Sequence, residues 1–313
     1  MLALVTGVAG FIGSTLADRL VAEGWTVRGI DRFTAYYEEA AKRANLAGLQ
    51  GHASFSLVEA DLVSADLDPL LADVDVVFHL AGQPGVRLSW ADGFPTYVDL
   101  NINVTQRLLE ASKVRTIQRF VYASSSSVYG NVDVTPTPES HPTRPFSPYG
   151  VTKLAGELLC CAYGANFGVP TTSLRYFTVY GPRQRPDMAF HRMIEATLDG
   201  RPFPLFGDGS QVRDFTYVDD IVRATILAGT TVLEPATVVN AAGGGSASMM
   251  ELIELVGEAI GQPIEIEWKE AQAGDVRVTG GDISLAKQLL GWSPQVETAD
   301  GVRRQVKWHQ DRR

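Results

Sequence analysis

Tyr149 and Lys153 stand four residues apart, a spacing that puts both side chains on one face of a helix. A free tyrosine titrates near 10 and is a poor base at neutral pH. An ammonium beside it, or a positive ring bound nearby, stabilises the phenolate and lowers that pKa. Such a pair could take a proton from a hydroxyl and later return it. Read alone, the pair is also an ordinary surface contact; its position gives it weight. It follows a run of hydroxyls, Ser124-Ser125-Ser126-Ser127, at the end of a predicted strand over 119–123. Hydroxyls there could bond a substrate hydroxyl or carboxylate, or simply form a serine-rich turn.

A third constellation opens the chain. Gly7-Val8-Ala9-Gly10-Phe11-Ile12-Gly13 follows a predicted strand over 2–6 and begins a predicted helix over 11–22. Gly7 permits a tight turn, Gly10 lets backbone approach a pyrophosphate, and Gly13 allows close helix–sheet packing. The helix N-terminus, with the amides of Phe11 and Ile12, offers donors and a positive dipole to phosphates. Asp31 follows the second predicted strand, over 26–30. A carboxylate there accepts from adenosine ribose hydroxyls and repels a 2′-phosphate, which favours NAD over NADP; Arg32 is a counter-signal. Asp61-Leu62 lies just past another strand, where an acid could bond an adenine amino group or cap a loop. Leu80 and Ala81 end a further strand with room for a cofactor to pass.

Strand-like runs (2–6, 26–30, 54–58, 74–80, 119–123, 171–175) alternate with helical patterns (11–22, 97–112, 149–167) through the first half. Ser147 is the expected N-cap of the last helix and Pro148 its first residue. The alternation predicts an α/β fold: a Rossmann-type doubly wound parallel sheet covered on both faces. After residue 176 Pro and Gly become frequent and helices (190–198, 218–228, 248–259, 284–291) are separated by long loops. The expected division is a dinucleotide-binding domain over 1–176, with segments near 214–243 returning to it, and a smaller mixed α/β substrate-binding domain over 177–313.

The chain has 313 residues, 36 acidic against 27 basic, for a net charge of −9. That surplus argues against nucleic acid or an anionic membrane as a partner. Apolar runs are too short to span a bilayer, and the first of them reads as a buried strand, not a signal peptide. Cys160 and Cys161 are the only cysteines and are adjacent, which predicts neither a disulfide scaffold nor a metal site. The expectation is a cytoplasmic protein acting on a small molecule.

Together the glycine motif, Asp31, Asp61-Leu62, His79-Leu-Ala-Gly-Gln83, Ser124–Gly130 and Tyr149-x-x-x-Lys153 resemble the extended short-chain dehydrogenase/reductases, the NAD-dependent nucleotide-sugar epimerases and dehydratases. The resemblance covers almost the whole chain. It implies NAD as cofactor, Tyr149 as general base and acid, Lys153 as the group that positions the ribose and lowers the Tyr149 pKa, and Ser125, or its neighbour Ser126, on the sugar. It adds Gln83 and Tyr176 to the cofactor-binding set and implies a homodimer, paired through the helices over 97–112 and 149–167.

Members that dehydrate or decarboxylate typically carry an acid just before Val-Tyr-Gly, where this chain has Ser127. That absence argues for simple 4-epimerisation. The segment Arg175–Phe190 and Gln83-Pro-Gly-Val-Arg87 resemble the UDP-glucuronic acid 4-epimerase branch, with Thr178 where galactose-type enzymes usually have Asn. Arg185 is a cation suited to a uronate carboxylate, because a charge-assisted bond offsets its desolvation. Pro204–Phe215 resembles the segment that binds uracil and diphosphate, which would set Phe206 near the base and Arg213 near the phosphates. Gly274-Asp275-Val-Arg277 resembles a loop closing on the nucleotide, with Asp275 on the ribose; Gln272 stands where relatives have an Arg, and Arg277 is its possible substitute. Arg192 could also face the diphosphate. The expected substrate is a UDP-sugar, glucuronate first, with glucose or N-acetylglucosamine as alternatives. A non-catalytic NAD sensor is the competing reading from another class. A locally basic cleft drawn from Arg87, Arg185, Arg192, Arg213 and Arg277 is expected within the acidic surface.

Overall fold

The computed structural model describes residues 1–243, 245–270 and 278–313. In chain order its strands are β1 (Leu2–Thr6), β2 (Thr26–Asp31), β3 (Phe55–Glu59), β4 (Val76–His79), β5 (Arg119–Ser125), β6 (Thr171–Tyr176), β7 (Thr178–Tyr180), β8 (Phe203–Phe206), β9 (Val212–Tyr217), β10 (Thr237–Ala241), β11 (Ser246–Ser248) and β12 (Ile266–Lys269). Seven of them form one sheet in the order β10-β6-β5-β4-β1-β2-β3, parallel throughout. This is the doubly wound α/β architecture.

The sequence builds it by continuous burial. Every residue of β4, β5 and β6 is buried, as a sheet covered on both faces requires. Alternate side chains feed two cores: Val5, Val76, Phe78 and Val121 on one face, Leu4, Val77, Phe120 and Tyr122 on the other. The chain reverses its winding between β1 and β4, and the crevice beyond their C-terminal ends is where such sheets bind ligands. Thr6 ties those two ends together: its Oγ1 contacts His79 Nδ1 at 2.8 Å and accepts from the amides of Leu80 and Ala81 at 3.1 and 3.0 Å.

β7, β9 and β11 make a separate three-stranded sheet, and β8 pairs with β12. Val212–Tyr217 therefore lies outside the large sheet, whereas Thr237–Ala241 joins it beside β6. The second half is consolidated by aromatics: Tyr180 stacks on Phe190 at 4.9 Å and Phe190 meets Phe215 edge-on at 5.2 Å.

Two differences from the expected elements matter. The helix over 97–112 begins at Phe94 and carries a π-helical stretch, Val98–Asn103, before Val104–Ser112; such bulges reorient side chains, often at functional sites. No helix is predicted after 291, yet Thr298–Gln310 is helical. Its apolar stripe is thin, Val302 and Val306 among Arg303, Arg304 and Lys307, so the periodic signal is weak. No helix among the described residues is long and apolar enough to cross a membrane.

Candidate active site

The catalytic helix, Pro148–Phe167, starts as its sequence dictates. Ser147 caps it by accepting the Gly150 amide at 3.1 Å, and Pro148 occupies the first turn. Tyr149, in that same turn, and Lys153, one turn later, line the crevice beyond β1 and β4. β5 delivers the serines to the same place. Ser125 Oγ accepts from the Ser127 amide at 3.1 Å, and Ser125 is the serine that lowers the Tyr149 phenol pKa.

The electrostatics differ from a simple Tyr–Lys couple. Burial pushes the Tyr149 phenol above its ordinary value, while the Ser125 hydrogen bond and the Arg185 charge pull it down. Burial draws Lys153 down to about 8. Its ammonium lies one turn deeper, 4.8 Å from the centre of the Tyr122 ring. The cation acting on the phenol within the protein is thus Arg185.

Every site residue expected from sequence and lying among the described residues lines one of two adjoining cavities. The first holds Gly7, Gly10, Phe11, Ile12, Gly13, Asp31, Arg32, Asp61, Leu62, Leu80, Ala81, Gln83, Ser125, Ser126, Ser127, Tyr149, Lys153, Tyr176, Thr178 and Arg185. The second holds Arg87, Arg192, Phe206 and Arg213. Tyr36, Gly85 and Val86 line both. Asp275 and Arg277, with Gln272, lie outside the described residues.

The first cavity fits NAD. Gly7 has a φ of +67°, and a Cβ on it would come within 2.9 Å of the Ala81 backbone; a Cβ on Gly13 would run into the Gly7 carbonyl oxygen. Gly10 caps the helix Phe11–Ala22 without a side-chain bond, and the first turn carries no acid. Its amides thus face the cavity ready for an anion. Asp31 is held over this turn, its oxygens accepting from the Ala9 amide at 3.1 Å and the Phe33 amide at 2.8 Å. Arg32 pairs with Asp61 at 2.5 Å, so the counter-signal to NAD is tied to the neighbouring carboxylate. The Tyr176 phenol is bonded to Thr225 at 2.7 Å, which leaves its ring and backbone for the cavity wall.

In the second cavity the Arg87 guanidinium lies 4.6 Å over the Phe206 ring. Burial and the Arg87 charge both lower Arg192, the mark of cations crowded at one place. The expected basic cleft is modified at Arg185, whose Nε and Nη2 each donate to Asp187 at 3.0 Å. Arg185 is half-buried, 22% exposed, and its Asp187 partner is 41% exposed.

Sequence reasoning missed Asn101, Tyr97, Tyr36 and Asp187. Asn101, in the π-helical stretch, accepts from the Gln83 amide at 2.7 Å and donates to the Gln83 carbonyl at 3.1 Å and to Thr152 Oγ1 at 3.0 Å. It is buried, 1% exposed, beside the apolar Val104, Leu108 and Leu109, and a polar residue next to that apolar run was the available signal. The Tyr97 ring meets Tyr149 edge-on at 6.2 Å.

The comparisons with known proteins agree with this geometry. The chain belongs to the NAD dependent epimerase/dehydratase family, whose pattern matches residues 3–242. It is 45% identical over 97% of its length, and 96% of the relative's, to the uncharacterised UDP-glucose epimerase YtcB of Bacillus subtilis (strain 168). It is 37% identical to the UDP-glucuronate 4-epimerase of Thermodesulfobacterium geofontis (strain OPF15), over 98% of this chain and 96% of that one. The crystal structure of UDP-glucuronic acid 4-epimerase from Bacillus cereus, in complex with UDP-glucuronic acid and NAD, superposes with a TM-score of 0.97 at 43% identity, covering 100% of both chains. The enzyme class is NAD-dependent nucleotide-sugar 4-epimerase, an isomerase.

Proposed function

We propose that the protein is a UDP-glucuronate 4-epimerase, interconverting UDP-glucuronate and UDP-galacturonate without decarboxylation. The observation that carries this reading is Arg185, a cation lining the same cavity as Tyr149, Thr178 and the serines. The similarity to named UDP-glucuronate 4-epimerases supports it. Residues 1–176, with the returning strand β10, hold NAD in this reading, and 177–313 hold the nucleotide sugar.

The residues then take definite roles. NAD, when bound on the glycine turn and Asp31, supplies the hydride acceptor and donor at sugar carbon 4, and its positive nicotinamide favours phenolate. Tyr149 takes the proton of the 4-hydroxyl and gives it back after the keto-sugar has rotated. Ser125 shares that proton's hydrogen bond, and Ser126 is its neighbour on the sugar. Lys153 holds the cofactor ribose with its ammonium. Arg87, Arg192 and Arg213 receive the diphosphate and Phe206 the uracil, with Asp275 and Arg277 assigned to the nucleotide from sequence alone.

A uronate oxidised at carbon 4 is a β-keto acid, which loses carbon dioxide when its carboxylate stands perpendicular to the carbonyl plane. Arg185, Thr178 and the hydroxyls of Ser125, Ser126 and Ser127 hold it away from that geometry. Arg185→Ala is expected to lose at least tenfold in kcat/KM for UDP-glucuronate, the worth of one charge-assisted contact, and to release pentose products detectable by NMR. Partitioning like the wild type would remove Arg185 from this role. The function itself is tested by incubating the protein with UDP-glucuronate or UDP-glucose and identifying the product sugar by NMR; turnover of UDP-glucose alone would overturn the uronate reading. UDP-glucose is the second reading, favoured by YtcB and by the Asp187 carboxylate, which already pairs with Arg185.

The same reading makes the enzyme a cytoplasmic homodimer. The two free cysteines fit a reducing compartment. Val151 and Leu158, one heptad apart on the catalytic helix, are 48% and 57% exposed, an apolar stripe suited to a second copy. Leu158→Glu is expected to shift the protein to monomers in sedimentation equilibrium; an unchanged mass would move the interface elsewhere.

A further inference from the structure

Arg185 does not stand alone at the cavity wall. Asp187 receives two parallel hydrogen bonds from its Nε–Nη2 edge, both of 3.0 Å. Behind Asp187 stands Tyr36, whose hydroxyl donates to Asp187 Oδ2 at 3.2 Å. The Tyr36 ring centre lies 5.9 Å from the Arg185 guanidinium. Tyr36 comes from the segment after Asp31, far away in sequence. That segment is itself pinned, because Lys42 Nζ donates to the carbonyl and hydroxyl oxygens of Thr34 at 2.6 and 2.8 Å. The cluster therefore links a segment of the cofactor half to a loop of the substrate half, where the two cavities meet.

A guanidinium is a planar fork, and a carboxylate on its Nε–Nη2 edge fixes the direction of the Nη1–Nη2 edge. A long Arg side chain otherwise samples many rotamers, and ordering them on binding costs affinity. We propose that Asp187, backed by Tyr36, is a positioning residue that aims the end-on edge of Arg185 at the sugar carboxylate. This rests on the uronate reading above. Asp187 does not touch the reacting atoms; it acts through Arg185. Its negative charge also opposes a second carboxylate nearby, so the two effects of Asp187 have opposite signs and a measurement separates them.

The test compares kcat/KM for UDP-glucuronate with kcat/KM for UDP-glucose in the full-length, NAD-loaded enzyme. If aiming dominates, Asp187→Asn lowers the glucuronate-to-glucose ratio by roughly tenfold, the worth of a misdirected charge-assisted contact. Tyr36→Phe lowers it less and in the same direction. Asp187→Glu, which keeps the charge and two acceptor oxygens, restores much of the ratio lost in Asp187→Asn. A ratio that stays within twofold or rises in Asp187→Asn overturns the proposal, as does an equal loss on both substrates, which is what a merely structural residue would give. Should Asp187→Asn fail to fold, Tyr36→Phe decides by the same ratio. Wild-type enzyme inactive on UDP-glucuronate overturns the uronate reading and this inference together; wild-type activity with an unmoved ratio overturns this inference alone.

Discussion

Tyr149→Phe is expected to lower kcat by about 10²–10⁴-fold, the usual contribution of a placed general acid–base group, while NAD remains bound. The substitution deletes one oxygen and keeps the ring, so the edge-on contact with Tyr97 at 6.2 Å survives. What is lost is the phenol that Ser125 acts on in the cavity. Burial alone would make this phenol a worse base than free tyrosine. The protein offsets that with the Ser125 hydroxyl and the Arg185 charge, and it places Tyr149 in the first turn of a helix, where the positive end of the dipole favours an anion. Lys153, at about 8, still carries its proton at neutral pH and can hold a ribose hydroxyl. Stopped-flow turnover with UDP-glucuronate, alongside cofactor content from the absorbance of denatured enzyme, separates chemistry from binding. Turnover within tenfold of wild type would remove Tyr149 from proton transfer.

Much of this site was legible because its parts are local. The glycine turn, the Ser147 cap and the Tyr149–Lys153 spacing are each set by neighbours within a few residues, and their geometry follows from backbone rules. The parallel sheet was legible because buried strands are continuous apolar runs. Pairings across long sequence separations were not. Asp187 lies inside a segment whose Arg185 was singled out, yet nothing local says that the carboxylate turns back on that Arg or that Tyr36 arrives behind it. Asn101 was hidden because a π-helical stretch disturbs the 3.6-residue period by which a face is read. The helix Thr298–Gln310 was hidden by its charge: its buried residues contact aromatics and strands that only tertiary structure supplies.

The largest stability effect is expected beneath the serines. Arg175, on β6, donates to Glu157 from Nε at 3.0 Å and from Nη2 at 2.6 Å, and from Nη1 to the Tyr129 hydroxyl at 2.7 Å. Ser124 donates to the same Glu157 at 2.7 Å, and Tyr129 passes a bond on to Asn240 of β10 at 2.7 Å. Both charged side chains are almost fully buried, 6% and 4% exposed. Arg175→Met would leave the Glu157 carboxylate buried without its cation, at a cost of about 3–5 kcal/mol. The double variant, Arg175→Met with Glu157→Leu, removes both charges and should recover most of that loss, because a buried ion pair gains little over apolar packing once desolvation is counted. Urea unfolding midpoints of the single and double variants read this directly; a single variant within 1 kcal/mol of wild type, by the roughly proportional midpoint shift, would mean that water or a rearranged side chain satisfies Glu157. The network also bears on chemistry. Glu157 lies one turn beyond Lys153 on the catalytic helix and grips Ser124, the residue before Ser125. The pair thus fixes β5 against that helix at the point where the Ser125 hydroxyl must meet the Tyr149 phenol. The double variant should therefore fold well and still turn over slowly, which makes stability and activity separable at this position.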